Sequence, residues 1–228
     1  MHSKLVVIGG GPGGYAAAFL AADLGIEVTL IEAEKQLGGT CLLRGCIPSK
    51  ALLHVAKVIS EVSHMADDWG VSFGDPQIAL EQLRARKNKV ISTLSAGLGQ
   101  LAKRRKVTVI NARAKFVDAT TLELHGDHES VPDGGRISFD YCVIATGSIP
   151  AMPSAFDIGS ERVMDSTGAL QLQEIPESML VIGGGYIGLE MGSVYASLGT
   201  QVSVVELMDR LLTGADADLV RPLERRLK

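Results

Sequence analysis

At 228 residues, with 46% hydrophobic and 21% charged side chains, the chain is long enough for one large or two ordinary soluble domains. A net charge of −4 gives no general attraction to nucleic acid or to a membrane surface, and no apolar run approaches the ~18 residues of a membrane span. Three cysteines are too few for a disulfide-built secreted scaffold, and the first strand pattern begins at Leu5, leaving no room for a signal peptide, so a reducing, cytoplasmic setting is expected.

Leu5-Val6-Val7-Ile8 is a short apolar, β-branched run of the kind that forms a buried parallel strand. It meets Gly9-Gly10-Gly11-Pro12-Gly13-Gly14, then an alanine-rich stretch, Tyr15 to Leu24, with strong helix propensity. Gly25 stops that helix, and Glu27 to Ile31 reads as a second strand ending at Glu32. The order is strand, GxGxxG, helix, strand, acid, and each part has a task. Gly9 makes the tight turn, Gly11 admits a pyrophosphate to the backbone, and Gly14 lets the helix pack on the strand. The helix N-terminus faces the phosphates, and Glu32 can accept from ribose hydroxyls. A dinucleotide site is expected here; the bland alternative is a glycine-rich turn in an unrelated α/β protein.

Next comes Gly38-Gly39-Thr40-Cys41-Leu42-Leu43-Arg44-Gly45-Cys46-Ile47-Pro48-Ser49-Lys50, with two cysteines five positions apart. In a regular α-helix their Cα atoms would stand ~8.6 Å apart, whereas a disulfide rarely tolerates more than ~7 Å. Either the cysteines never bond or the helix is distorted, and Gly45 and Pro48 are the residues expected at an irregular turn. A helix N-terminus and Lys50, one turn beyond Cys46, would both favour a thiolate. Two buried small hydrophobes or half of a zinc site would give the same pair, although no second Cys/His pair with ligand spacing accompanies it.

An amphipathic helix follows through Leu52, Leu53, Val55, Ala56 and Ile59, carrying His54 and His64 as surface or half-buried side chains. Residues 70–77 read as a loop, and Ile78 to Lys106 as one long helix whose basic residues form a solvated face rather than a nucleic-acid patch. Val107 to Ile110 is a strand. Ala112 to Val117, Thr121 to Leu124 and Arg136 to Ala145 suggest a small antiparallel sheet, with Cys142 an inert core thiol. Ala145-Thr146-Gly147-Ser148 forms another glycine-containing turn, and Pro150 and Pro153 mark a linker.

Then the first pattern returns. Met179 to Ile182 is a strand, and Gly183-Gly184-Gly185-Tyr186-Ile187-Gly188 is a second GxGxxG. A helix runs to Leu198, Gly199 stops it, and Gln201 to Val205 is a strand ending at Glu206. Both copies place the acid 23 positions after the first glycine (32 − 9 and 206 − 183), so one unit is repeated at an offset of 174. Glu206 would repel a 2′-phosphate, which favours NAD over NADP. Two nucleotide sites flanking a redox pair imply electron relay, one dinucleotide being a held flavin and the other a diffusible nicotinamide.

The segment GGTCLLRGCIPSKALL (38–53), with AKF (114–116), ATGS (145–148) and GGGYIGLEMG (183–192), resembles the pyridine nucleotide–disulfide oxidoreductases, and within them the dihydrolipoamide-oxidising members. The resemblance covers essentially the whole chain; Leu43 and Arg44 depart from the usual Asn-Val. It implies an α/β fold: an FAD-binding Rossmann-like domain with a small antiparallel sheet over 1–149, then the start of a second, NAD-binding Rossmann-like domain over 150–228. It implies that Gly9, Gly11, Gly14 and Glu32 hold the ADP half of FAD, with Gly39 and Thr40 along the phosphates. Ala114, where Gly is usual, would contact the adenine, and Thr146, Gly147 and Ser148 would lie in a second flavin-associated turn. Cys46 would be the thiol beside the flavin, Cys41 the interchange thiol, and Lys50 the flavin-side cation paired with Glu190. Gly183, Gly185, Tyr186, Ile187, Gly188, Glu190 and Glu206 would hold NAD.

The implied reaction carries electrons from dihydrolipoamide, or from a lipoyl-bearing protein of a 2-oxo acid dehydrogenase complex, through a Cys41–Cys46 disulfide and FAD to NAD⁺, in a homodimer. Family members run to roughly twice this length, so the resemblance implies that this chain corresponds to an N-terminal half, without the family's dimer-forming domain and its His–Glu acid–base pair. Two alternatives stay open: a mercuric reductase-like member, and a flavin-binding fragment without catalysis.

Overall fold

The computed structural model describes residues 1–126 and 130–227. The elements in chain order are β1 (His2–Ile8), α1 (Pro12–Asp23), β2 (Val28–Glu32), α2 (Gly39–Arg44), α3 (Cys46–Trp69), α4 (Leu80–Arg104), β3 (Thr108–Asp118), β4 (Thr121–Gly126) and β5 (Arg136–Ile144). They continue with α5 (Ser166–Gln171), β6 (Ser178–Ile182), α6 (Tyr186–Ser197), β7 (Gln201–Val205) and α7 (Ala217–Leu227). By packing, the chain forms two compact units: 1–47 with 88–149, and 48–87 with 150–228. The expected first domain spans 1–149; by packing, α3 beyond Ile47 and the first part of α4 group with the second unit.

In the first unit β5, β1, β2 and β3 run parallel, with Val6 opposite both Thr29 and Cys142. β4 pairs antiparallel with the far part of β3 and with the start of β5, closing the five strands on themselves. The expected strand at 107–110 and the expected antiparallel strand at 112–117 are thus one strand, whose first residues serve the parallel sheet and whose last serve the antiparallel ribbon. Strand alternation sends side chains to two covered faces, as a doubly buried parallel strand requires. Leu5 and Val7 meet Ala18 and Phe19 of α1 and Ala102 of α4, while Val6 and Ile8 meet Leu122, Ile137 and Phe139 under the ribbon. Cys142 packs half-buried against that second cluster, and burial pushes its thiol pKa up, which suits an inert thiol.

In the second unit β6 and β7 form a two-stranded parallel sheet flanked by α6. Leu52 and Ala56 of α3 bury against Leu170 and Leu172 and against Met191, Val194 and Tyr195 of α6. Asp165 caps α5 by accepting from the Gly168 N–H at 2.8 Å, and the Tyr195 hydroxyl donates to the Ala169 carbonyl at 2.9 Å. Lys87 is buried and donates to the Leu170 carbonyl; burial first, and Arg84 second, lower its pKa. Among the described residues no helix is long and apolar enough to cross a membrane.

Candidate active site

The loop between β1 and α1 contains glycines of two kinds. Gly9 has φ +101°, and a Cβ there would stand 2.2 Å from the Ala145 carbonyl oxygen. A Cβ on Gly14 would stand 1.6 Å from the Gly9 oxygen, so α1 rests directly on the turn. The fold itself requires these two. Gly11 differs: its φ of −77° suits any residue, and its Cβ would meet only Gly39 Cα at 3.5 Å. Gly185 repeats this, with φ −75° and no atom within 4 Å of its Cβ. Nothing inside the protein excludes a side chain at either position. Both cap helices that have no side-chain cap, leaving first-turn N–H groups beside bare backbone. Those residues fit the pyrophosphate of a dinucleotide.

The acid of each copy is held by backbone. Glu32, buried at the end of β2, accepts from Gly10 N–H at 2.6 Å and Glu34 N–H at 2.8 Å. Glu206 accepts from Gly184 N–H at 2.7 Å and Met208 N–H at 2.9 Å. Each carboxylate oxygen keeps a second lone pair for a ribose hydroxyl. These N–H donors, Met208 first, hold Glu206 below its ordinary pKa. The repeat also runs further than the acid. Gly38 N–H donates to the Gly10 carbonyl at 2.9 Å, and Leu212 N–H, 174 positions on, to the Gly184 carbonyl at 3.0 Å. Leu37 and Leu211 cover the same two glycines, their Cδ2 atoms lying 2.6 and 2.4 Å from the respective absent Cβ positions.

The cysteine segment leaves that first loop. Gly38 and Gly39 both have positive φ (138° and 58°), and a Cβ on Gly39 would stand 2.5 Å from Gly11 Cα. Side chains are thus excluded where α2 starts against the glycine loop, placing Cys41 in the first turn of α2. The two cysteines do not share one regular helix. α2 ends at Arg44, α3 begins at Cys46, and Gly45 lies between them. A Cβ on Gly45 would stand 2.9 Å from the Thr40 carbonyl oxygen and 3.3 Å from Cys41 Cα, so the chain turns back onto the segment that bears Cys41. The distorted-helix expectation is the one observed. Cys41 is half-buried and Cys46 exposed, the latter at the N-terminus of a 24-residue helix. Thr40 Oγ1 donates to the Ser148 carbonyl at 3.1 Å, tying α2 to the turn after β5, where Thr146, Gly147 (φ +72°) and Ser148 are exposed. Arg44, a departure from the usual residue, pairs with Glu34 at 2.8 Å.

In the second unit Lys50 Nζ stands 2.6 Å from Glu190 Oε1 of α6. Tyr186 and Ile187, the first residues of α6, are exposed beside Gly185. Ala114 lies within β3 opposite Leu124, half-buried. His54 and His64 are both exposed, and His64 Nδ1 contacts the Ser60 carbonyl of its own helix. The reading of the sequence missed Leu37, Leu211 and Ser95. Extending the 174-residue repeat past the acids would have found the two leucines; Ser95, whose Oγ donates to the Leu37 carbonyl at 2.8 Å, has no local signal.

The family model described as pyridine nucleotide-disulphide oxidoreductase matches residues 3–228. The chain is 47% identical over 228 residues to a dihydrolipoyl dehydrogenase of Vibrio parahaemolyticus, covering 100% of this chain and 47% of that protein. It is 47% identical over 220 residues to a dihydrolipoyl dehydrogenase of Haemophilus influenzae, covering 96% of this chain and 45% of that one. Among solved structures, the HOCl-induced flavoprotein disulfide reductase RclA from Escherichia coli superposes with a TM-score of 0.80 at 29% identity, covering 98% of this chain and 46% of that chain. The chain spans about half the length of the curated relatives it matches.

Proposed function

The chain belongs to the pyridine nucleotide-disulphide oxidoreductase family, and we propose that it carries the flavin- and dithiol-bearing half of a dihydrolipoyl dehydrogenase. Gly9, Gly11, Gly14 and Glu32 hold the ADP part of FAD, with Gly39, Thr40, Ala114, Thr146, Gly147 and Ser148 beside it. Gly183, Gly185, Tyr186, Ile187, Gly188, Glu190 and Glu206 hold NAD. When bound, FAD supplies the two-electron relay between a dithiol and a nicotinamide.

The chain's own part is thiol exchange. A thiolate of dihydrolipoamide attacks Cys41 Sγ, the Cys41–Cys46 bond breaks, and Cys46 leaves as a thiolate. The second substrate thiolate attacks the substrate sulfur of that mixed disulfide, closing the lipoamide ring and releasing Cys41. Two electrons have then moved from substrate to the cysteine pair. Cys46, the leaving sulfur, lies at the N-terminus of α3, and Glu190 steadies the Lys50 ammonium. The natural donor is a lipoyl-bearing protein of a 2-oxo acid dehydrogenase complex, and the whole enzyme works as a cytoplasmic homodimer.

One observation carries this reading: the dithiol segment starts in contact with the first glycine loop, Gly39 against Gly11. Anaerobic two-electron reduction of the FAD-loaded chain should produce a long-wavelength thiolate–flavin absorption band. Cys46→Ser should abolish the band and Cys41→Ser retain it. A loaded chain with no such band is a flavin-binding module without dithiol chemistry.

A further inference from the structure

We propose that Ser95 of α4 is a positioning residue that sets where the dithiol helix α2 begins against the first glycine loop. The proposal rests on reading that loop as the FAD site.

Ser95 is 5% exposed, in the middle of a 25-residue helix. A serine there is a weak helix former that ordinarily turns back to its own helix backbone. Here it donates instead to the Leu37 carbonyl at 2.8 Å, 58 positions away. The peptide it grips is clamped from the other side: the Leu37 side chain covers Gly10, and the next N–H, of Gly38, donates to the Gly10 carbonyl. Two positive-φ glycines follow immediately, and then Cys41. Glycine is the residue with the most backbone freedom to lose, so this junction needs an outside anchor.

The second copy supplies the contrast. Leu211 and Leu212 repeat the clamp on Gly184, yet that loop is tied by Arg210, whose guanidinium donates to the Thr213 and Ala215 carbonyls at 2.9 and 3.1 Å. No dithiol helix follows there; the next helix, α7, begins at Ala217. The copy that bears the cysteines is anchored from a different element, and the copy without them anchors itself.

The test compares Ser95→Ala and Ser95→Thr in the full chain. Alanine favours helix more than serine, so α4 persists. Without flavin, amide hydrogen exchange over 37–45 should quicken about 5- to 30-fold in Ser95→Ala, as loss of one buried hydrogen bond allows. It should return to within about 2-fold of wild type in Ser95→Thr, which keeps the hydroxyl. With flavin, the FAD dissociation constant should rise about 3- to 30-fold in the alanine variant, and the thiolate–flavin band at saturating FAD should weaken. Wild-type exchange in Ser95→Ala overturns the proposal, whatever its melting temperature. Faster exchange with an unchanged dissociation constant and band also overturns it, leaving Ser95 a structural residue only. If the wild-type chain takes up no FAD, the flavin reading falls and the exchange result alone decides Ser95.

Discussion

Glu32 and Glu206 hold their glycine loops with the same pair of bonds, each carboxylate accepting one N–H from the loop and one from two residues beyond itself. For Glu206 this bonding lowers the pKa, with Met208 N–H the largest cause. A depressed folded pKa gives stability that is fully present above the unfolded value, 4.5, and lost as pH falls through the folded one. Glu206→Gln keeps one acceptor oxygen and leaves the second N–H facing an amide. Its denaturant midpoint, followed by circular dichroism from pH 7 to 3, should fall less steeply below pH 4.5 than that of wild type. Parallel curves for the two proteins would show that Glu206 contributes nothing to the acid limb.

The contrast between Gly11 and Gly14 separates folding from binding. Alanine at Gly14 would drive its Cβ into the Gly9 oxygen, whereas alanine at Gly11 meets only ordinary contact with Gly39. Gly14→Ala should therefore lose several kcal/mol of stability, on the order of 3 or more from forced backbone movement. Gly11→Ala should melt within about 0.5 kcal/mol of wild type yet bind FAD at least about 10-fold more weakly, a loss of ~1.4 kcal/mol. Thermal melts paired with flavin fluorescence titrations measure both. Tight FAD binding by Gly11→Ala would remove the argument for a pyrophosphate at that loop.

Gly45 is the break between α2 and α3 that separates the two cysteines, and it lies against the segment that bears Cys41. A methyl group there would press on the Thr40 oxygen and Cys41 Cα, both backbone atoms that yield little. Gly45→Ala should cost about 1–3 kcal/mol and make the proposed Cys41–Cys46 disulfide easier to reduce. Equilibration with glutathione buffers, read by differential alkylation, checks the second effect. A potential unmoved by the substitution would mean that the turn does not govern disulfide geometry.

Not every glycine in this chain is constrained. Gly97 lies inside α4 with no positive φ, and no atom stands within 4 Å of where its Cβ would be. Gly97→Ala should stabilise the chain by about 0.4–1 kcal/mol through lower unfolded-state entropy and better helix propensity. Urea unfolding followed by far-ultraviolet circular dichroism is sufficient to see it.

What could be read from the sequence was local. The turn chemistry of Gly9 to Gly14, the helix stops at Gly25 and Gly199 and the acids at 32 and 206 all act within one βαβ unit, where spacing carries the geometry. Gly45 marked the irregular turn because a missing Cβ is itself a local signal. Partner choice was not legible. The apolar face of α3 announces that Leu52 and Ala56 bury, not that they bury against α6 rather than β1. Residues 107–110 and 112–117 read as two strands because pairing switches from β2 to β4 within one strand, a change made by neighbours and not by propensity. Ser95 reads as an ordinary polar helix residue, because its acceptor lies 58 positions away.

The Lys50–Glu190 pair joins α3 to α6 at 2.6 Å, with side chains 58% and 25% exposed. An ion pair that exposed adds little to stability: the double-mutant coupling of Lys50→Met with Glu190→Gln should come out below about 1 kcal/mol and shrink further in about 1 M salt. Under the proposed function, Lys50 is the cation of the dithiol chemistry and Glu190 its support, so the pair should weigh more on chemistry than on stability. Glu190→Gln removes the charge that holds it, so the long-wavelength band of the reduced protein should weaken while the melting temperature barely moves. Lys50→Met should abolish more of the band than Glu190→Gln, because it removes the cation and not merely its support. Stopped-flow reduction by dihydrolipoamide should rank the three proteins in the same order. A coupling above about 2 kcal/mol with an intact band would make the pair a structural clasp between the two helices instead.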